Sequence, residues 1–88
     1  MKNLFDIKGK VIVITGGCGI LGKNIANYLA EQGAKIVVLD RAAEIGKELE
    51  AELNQKSEAL FLVTDVLNKE VLEENKKAIL ERFGTIDV

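Results

Sequence analysis

The stretch TGGCGILGKN, from Thr15 to Asn24, follows directly on the apolar run VIVI and contains four glycines and a lysine. Two phosphate-loop patterns can be laid on it. The triphosphate pattern G-x-x-x-x-G-K-[ST] uses Gly17, Gly22 and Lys23, but Asn24 stands where that loop needs a hydroxyl group for magnesium. Because an amide replaces this hydroxyl poorly, we disfavour the triphosphate loop.

The second pattern, G-x-G-x-x-G, is filled by Gly17, Gly19 and Gly22. Asp40 ends the next apolar run, 18 residues after Gly22, which is close to the spacing of about 20 residues expected of a ribose-binding carboxylate. Glycines let the backbone turn sharply, and the amides and dipole of the helix that follows favour an anion. The stretch therefore indicates a dinucleotide-binding loop.

Three continuous apolar runs predict the strands of the fold: Val11–Thr15, Lys35–Asp40 and Ala59–Asp65. Continuous rather than alternating apolar residues are typical of strands buried on both faces, and such strands occur in parallel sheets. An amphipathic stretch follows each run. This order favours a doubly wound α/β sheet over a bundle of helices.

Apolar residues at helical spacing define the three helices between and after these strands. The first helix carries Leu21, Ile25, Ala26, Leu29 and Ala30, and we expect Ile20 and Leu21 in its first turn to pack against the sheet. The second carries Ile45, Leu49 and Leu53, and the third Val71, Leu72, Ala78, Ile79 and Phe83. Gly33–Ala34 and Gly84 are predicted to end the first and third helices, and Asn68 to cap the start of the third.

The fold class predicted is thus α/β, the N-terminal half of a doubly wound Rossmann sheet with the order βαβαβα. The final residues TIDV indicate a loop entering a fourth strand at Ile86–Val88, which would pair with the far flank of the first strand. We therefore expect residues 1–88 to be a half-domain that lacks its catalytic half. We also expect the exposed flank of the first strand to favour self-association into a homo-oligomer.

Composition narrows the classes of partner. The chain has 88 residues, with 48% hydrophobic and 30% charged residues, a net charge of -2 and a pI of about 5.1. No basic stripe points to nucleic acid or an anionic membrane, and no apolar run approaches membrane-spanning length. Histidine, the commonest general base and metal ligand, is absent, and one cysteine, Cys18, cannot form an internal disulfide. We expect a cytoplasmic protein without a metal.

The segment GKVIVI followed by TGGCGILG resembles the short-chain dehydrogenase/reductase family. Its extended branch, which includes sugar-nucleotide epimerases and dehydratases, writes T-G-x-x-G-x-x-G, as this loop does. The leader LFDIKGK, the TDV at Thr64–Val66 and the RFGTIDV at Arg82–Val88 resemble the single-domain branch instead. Within that branch, sugar-acid reductases of the mannonate/fructuronate type carry T-G-G-x-G-x-L-G, and the resemblance is closest there.

The resemblance implies hydride transfer between a nicotinamide and the alcohol or ketone carbon of a sugar acid or similar substrate. The family's catalytic Asn, Ser and Tyr-x-x-x-Lys would all lie beyond this chain. Its one tyrosine, Tyr28, is followed four residues later by Gln32 rather than lysine. We therefore assign no catalytic residue here. A nucleotide-binding sensor without catalysis stays open as an alternative, and a downstream Tyr-x-x-x-Lys would decide between them.

The cofactor-binding residues predicted from the loop, from Asp40 and from the family resemblance are Gly16, Gly17, Cys18, Gly19, Ile20, Leu21, Asp40, Arg41, Asp65 and Val66. By resemblance, Asp65 takes the exocyclic amine of adenine and Val66 contacts it through the backbone. Asp40 should accept from a ribose 2′-hydroxyl and repel a 2′-phosphate, whereas Arg41 could pair with that phosphate. The sequence predicts NAD as the preferred cofactor over NADP.

Overall fold

The computed structural model describes residues 7–16, 19–65 and 67–87. Strands and helices alternate along the whole of this range, as the apolar runs predict. The elements are β1 Val11–Thr15, α1 Ile20–Glu31, β2 Lys35–Asp40, α2 Ala43–Asn54, β3 Ala59–Val63 and α3 Lys69–Phe83.

The three strands form one parallel sheet in which β2 lies between β1 and β3. Residues 36–39 of β2 are buried without interruption, which explains why its sequence is continuously apolar rather than alternating. The predicted third strand is too long, since regular structure ends at Val63 rather than Asp65. The Thr64 N–H still donates to the Asp40 carbonyl at 2.8 Å, so the ladder continues one residue further.

Helices cover both faces of the sheet, as in a doubly wound fold. One buried cluster joins α1 and α2 to the first face and includes Ala26, Ala30, Ile36, Leu49 and Leu53. The second cluster packs Ile79 of α3 against Val11, Val37 and Leu39 on the opposite face. Small alanines on the buried side of α1 let that helix lie close to the strands.

Gly33 follows the end of α1 and Gly84 follows the end of α3, and both adopt a left-handed conformation that other residues rarely enter. Gly33 has φ +90°, and its N–H donates to the Ala30 carbonyl at 2.9 Å while the Ala34 N–H donates to Leu29 at 3.2 Å. This pair of bonds is the Schellman motif. At the start of α3, the Asn68 side chain accepts from the N–H groups of Glu70 and Val71, which confirms the predicted cap.

A third glycine is required by packing. Gly46 lies in α2, where a Cβ atom would overlap the Phe61 ring of β3, lying only 2.5 Å from its Cδ1 atom and closer still to Cε1 and Cζ. The ring is 8% exposed and belongs to the cluster that joins α1 and α2 to the sheet. The absence of a side chain at Gly46 is therefore what lets α2 close over β3.

The outer edge of β3 is covered by side chains of α2. The Ala59 N–H donates to Asn54 Oδ1 at 2.9 Å, and Asn54 Nδ2 donates to the Ala59 carbonyl at 3.2 Å. One turn earlier on the helix, Glu50 Oε2 accepts from the Phe61 N–H at 2.6 Å. Asn54 thus bonds both backbone groups of Ala59, as a neighbouring strand would, and Glu50 continues the cover along the edge.

The outer flank of β1 carries a contact from the end of the described chain. The Asp87 N–H donates to the Val11 carbonyl at 2.9 Å, and the Val11 N–H donates to Asp87 Oδ2 at 2.8 Å. No regular strand is assigned at Ile86–Asp87, and Val88 lies outside the described residues. The chain nevertheless returns to the flank where the sequence predicts a fourth strand to pair.

Two expectations for helix faces are wrong. Ile20 and Leu21 are 83% and 73% exposed instead of packed on the sheet. They precede the part of α1 that crosses the strands, where Ala26 and Ala30 supply the contact. Ile25 and Ile45, which we placed on the apolar faces of α1 and α2, are also partly exposed, at 43% and 41%.

Among the helices of the described ranges, none is long and apolar enough to cross a bilayer.

Candidate functional site

The carboxyl ends of the three strands meet around a small cleft of about 140 Å³. Its walls are formed by Gly16, Leu39, Asp40, Arg41 and Thr64. Two backbone bonds hold these ends together: Gly16 N–H donates to the Leu39 carbonyl at 2.9 Å, and Thr64 N–H to the Asp40 carbonyl at 2.8 Å. Three of the predicted binding residues, Gly16, Asp40 and Arg41, are therefore brought together on one cleft.

Gly16 makes the turn that leaves β1. Its φ of +67° is in the left-handed region, and a Cβ placed there would meet no described atom within 4 Å. The backbone conformation therefore requires glycine, while the space above it stays open to a ligand. This combination fits a group that must approach the main chain closely, as the pyrophosphate of a dinucleotide does.

Gly19 is the N-cap residue of α1, with extended backbone angles and no side chain that could cap the helix. The first turn contains no acidic residue, and the first helical bond runs from the Lys23 N–H to the Gly19 carbonyl at 2.8 Å. A helix N-terminus without acidic side chains carries a partial positive charge that favours an anion. The side chains of Ile20 and Leu21 are exposed, but their backbone N–H groups lie in this first turn and can bind such an anion.

Asp40 ends β2 half-buried in the wall of the cleft. Its Oδ1 atom accepts from the Ala42 N–H at 3.1 Å, which orients the carboxylate at the edge of the sheet. Arg41 follows and is exposed. An oriented carboxylate at this place can accept hydrogen bonds from vicinal hydroxyl groups, and its charge opposes a phosphate in the same position.

Asp65 lies next to the cleft rather than in its wall. The side chain is exposed, and its Oδ1 accepts from the Leu67 N–H at 3.0 Å while its carbonyl accepts from Asn68 at 2.9 Å. It lines a separate open hollow of about 500 Å³ at the start of α3. Three other predicted residues, Gly17, Cys18 and Val66, lie outside the described residues.

Sequence reasoning missed a buried polar pair at the bottom of the site. Thr64, which lines the cleft, is 1% exposed, and Asn75 of α3 is 8% exposed. Asn75 Nδ2 donates to Thr64 Oγ1 at 2.6 Å, and Thr64 Oγ1 in turn donates to the Leu62 carbonyl at 2.9 Å. The signal was present in the sequence, because Asn75 stands at helical spacing between the apolar residues Leu72 and Ile79.

Two remaining expectations concern Tyr28 and metal ligands. Tyr28 is half exposed on α1. Across residues 7–16, 19–65 and 67–87, no group of three or more histidine, cysteine or carboxylate side chains could hold a metal ion. The cleft combines the open turn at Gly16 with the carboxylate of Asp40, and α1 begins shortly after that turn, at Ile20.

Comparison with known proteins relates this arrangement to one family. The sequence pattern described as short chain dehydrogenase matches residues 10–88. Among curated proteins, the uncharacterised oxidoreductase UxuB of Bacillus subtilis is 38% identical over 84 residues, covering 94% of this chain and 30% of UxuB. The match therefore extends over nearly all of this chain but about a third of the relative.

Solved structures agree with the fold throughout. An NAD⁺-bound xylitol dehydrogenase is 35% identical with a TM-score of 0.87, covering 92% of this chain and 32% of its own. A candidate D-mannonate oxidoreductase from Haemophilus influenza with bound NAD is 34% identical, with a TM-score of 0.88 and coverages of 97% and 32%. The L-sorbose reductase of Gluconobacter frateurii, complexed with NADPH and L-sorbose, is 32% identical, with a TM-score of 0.88 and coverages of 94% and 32%.

The names of these three structures refer to three different compounds, while their identities to this chain are nearly equal. The pattern match over most of the chain and the agreement of the folds nevertheless converge on one conclusion about ancestry. The βαβαβα unit with its glycine turn and strand-end carboxylate belongs to the short-chain dehydrogenase family.

Proposed function

We propose that this chain forms the adenosine and pyrophosphate half-site for NAD in an oxidoreductase of the short-chain dehydrogenase family. The observation that carries the proposal is the cleft at the carboxyl ends of the three strands, where Gly16, Asp40 and Thr64 converge. Ligands of doubly wound sheets bind at this end of the strands. The open space above Gly16 suits the pyrophosphate, and Asp40 suits the adenosine ribose.

Cofactor preference follows from the charge at the end of β2. A 2′-phosphate in the position of the ribose hydroxyl would bring two or so negative charges against the Asp40 carboxylate, which Ala42 holds in place. Arg41 is exposed and can swing toward a phosphate, so it opposes this effect in part. Two of the neighbouring structures hold NAD and one holds NADPH. We propose NAD as the preferred cofactor.

The reaction we propose is hydride transfer between the nicotinamide and a hydroxyl or keto carbon of a sugar-derived substrate. The names of three neighbours support this substrate class, since they refer to xylitol, D-mannonate and L-sorbose. Within the class we favour a sugar acid of the mannonate type, because the loop has the pattern T-G-G-x-G-x-L-G. The proton-transferring residues would come from outside this chain.

Calorimetric titration of the protein with NAD and with NADP tests the site and the preference together. We expect NAD to bind more tightly than NADP, and Asp40→Ala to reduce the difference by about tenfold, as loss of an interaction of about 1.4 kcal/mol would. The matched control is Glu48→Ala, which removes an exposed carboxylate of α2 away from the cleft. Equal affinity of the unmutated protein for both cofactors would contradict the assignment of Asp40.

Two further parts of the proposal concern the setting of the protein. We propose a cytoplasmic location, supported by the presence of one cysteine, which gives no disulfide framework. We propose that the protein forms a homo-oligomer through the outer flank of β1, where a short contact with Asp87 engages the backbone at Val11.

A further inference from the structure

The side chain of Asn75 connects α3 to Thr64 in the wall of the cleft. Asn75 is the one polar residue in the buried part of α3, where its neighbours Leu72 and Ile79 pack against the sheet. Burying an amide among apolar side chains costs free energy unless it is hydrogen-bonded. Asn75 meets that requirement through a short bond of 2.6 Å to Thr64 Oγ1.

Thr64 is held in place by three bonds in different directions. Its hydroxyl accepts from Asn75 and donates to the Leu62 carbonyl at 2.9 Å, and its N–H donates to the Asp40 carbonyl at 2.8 Å. The side chain is 1% exposed, although the residue forms part of the cleft wall. Without Asn75 the hydroxyl would lose its donor from α3, and only contacts within the sheet would define its position.

The residue that follows Thr64 has no comparable support from the core. Asp65 is exposed, and in the described part of the chain its hydrogen bonds run forward to Leu67 and Asn68 near the start of α3. The position of Asp65 relative to the cleft is therefore set by Thr64 on one side and the first turn of α3 on the other. Asn75 joins these two elements from beneath, since it lies on α3 and binds Thr64.

We propose that Asn75 is a positioning residue for the adenine end of the cofactor, acting through Thr64 on the neighbouring Asp65. The inference rests on the proposed function, because it takes the cleft beside Thr64 as the place where the adenosine group binds. Asn75 itself touches no ligand in this scheme. Its amide fixes one wall of the cleft before the ligand arrives, so less ordering is needed on binding.

The test uses AMP as the probe, since it carries the adenosine group and one phosphate. Asn75→Leu keeps the approximate volume and removes the amide, while Thr64 can still donate to Leu62, so the urea midpoint should stay near that of the unmutated protein. We expect AMP affinity in a calorimetric titration to fall by about three- to tenfold, because the wall at Thr64 would then have to be ordered when the ligand binds. Lys76→Ala, an exposed change on the same helix, is the control and should leave affinity unchanged.

Asn75→Gln distinguishes positioning by the amide from simple filling of space. If the amide matters, the glutamine variant binds AMP more tightly than the leucine variant. Equal affinities of the two variants, or an Asn75→Leu affinity within about twofold of the unmutated protein, overturn the inference while leaving the proposed function intact. Failure of the unmutated protein to bind either AMP or NAD overturns both.

A measurement on the unmutated protein covers the case in which a variant does not fold. Addition of AMP should shift the NMR signals of the Thr64 backbone N–H and of the Asn75 side-chain amide, since Thr64 lies in the wall that the ligand meets and Asn75 is hydrogen-bonded to its hydroxyl. Signals of Asn75 and Thr64 that stay fixed while Gly16 shifts would overturn the inference, because the ligand would then bind without engaging that wall.

Discussion

Replacing Gly46 with alanine should destabilise the protein, although alanine is the better helix former. The new Cβ would lie 2.5 Å from Phe61 Cδ1 and nearer to two other ring atoms, whereas carbon atoms in good contact are about 3.5–4.0 Å apart. The ring would have to move by about 1 Å or more. Because Phe61 is 8% exposed and surrounded by packed side chains, α2 or the ring must leave its place.

The size of the effect follows from two opposing contributions. Overpacking of this kind costs about 1–3 kcal/mol, and full loss of the buried ring would cost about 1.5–3 kcal/mol. Alanine regains about 1 kcal/mol of helix propensity over glycine. We therefore expect a net loss of up to about 2 kcal/mol in the free energy of unfolding, which in a domain of this size lowers Tm by up to about 16 °C.

Urea and thermal unfolding followed by circular dichroism measure this loss. Glu48→Ala, exposed on the same helix, is the control and should change stability by less than about 0.5 kcal/mol. The double variant Gly46→Ala, Phe61→Leu should recover part of the loss, because the smaller side chain vacates the position of the new methyl group. A Gly46→Ala protein more stable than the unmutated one would refute the reasoning, since propensity would then outweigh the clash.

Three further outcomes are expected. Asn68→Ala should lower the free energy of unfolding by about 1 kcal/mol in urea titrations, because the N–H groups of Glu70 and Val71 lose their acceptor; an unchanged midpoint would show that the cap contributes nothing. The purified chain should not turn over NAD(H) with sugar acids or simple ketones, and turnover abolished by Tyr28→Phe would contradict this. Its sedimentation coefficient should rise with concentration as copies associate through the flank of β1, whereas a constant monomeric value would show that Asp87 protects this flank sufficiently.

Much of the fold was predictable because its determinants are local or periodic. The buried run at the centre of β2 can lie only in a strand covered on both faces, and the glycines at 33 and 84 mark helix ends through their own backbone preferences. The meeting of Gly16 and Asp40 at one cleft was predictable for a related reason. The ends of parallel strands meet at one edge of a sheet, so their place in the order of elements locates them in space.

The errors concern features that depend on contacts between distant parts of the chain. Ile20 and Leu21 are apolar and helical, but which side of α1 faces the strands is decided by how closely Ala26 and Ala30 approach them. Asn75 stands at helical spacing between two apolar residues, which indicates its burial, but that spacing does not identify Thr64 as its hydrogen-bond partner. Spacing alone cannot identify such a pair, since its two members come from different elements.

Because Glu50 and Asn54 bond the outer backbone groups of β3, the sheet can be extended by a further strand more easily at β1 than at β3. At that edge, backbone groups that could bind a further strand are already bonded to α2, so a strand arriving there would first have to displace the helix side chains. At the opposite edge, the described residues make one such contact, between Asp87 and Val11. Any strand that extends this sheet, whichever chain supplies it, is therefore directed to the side of β1, and the α2 side stays a terminus.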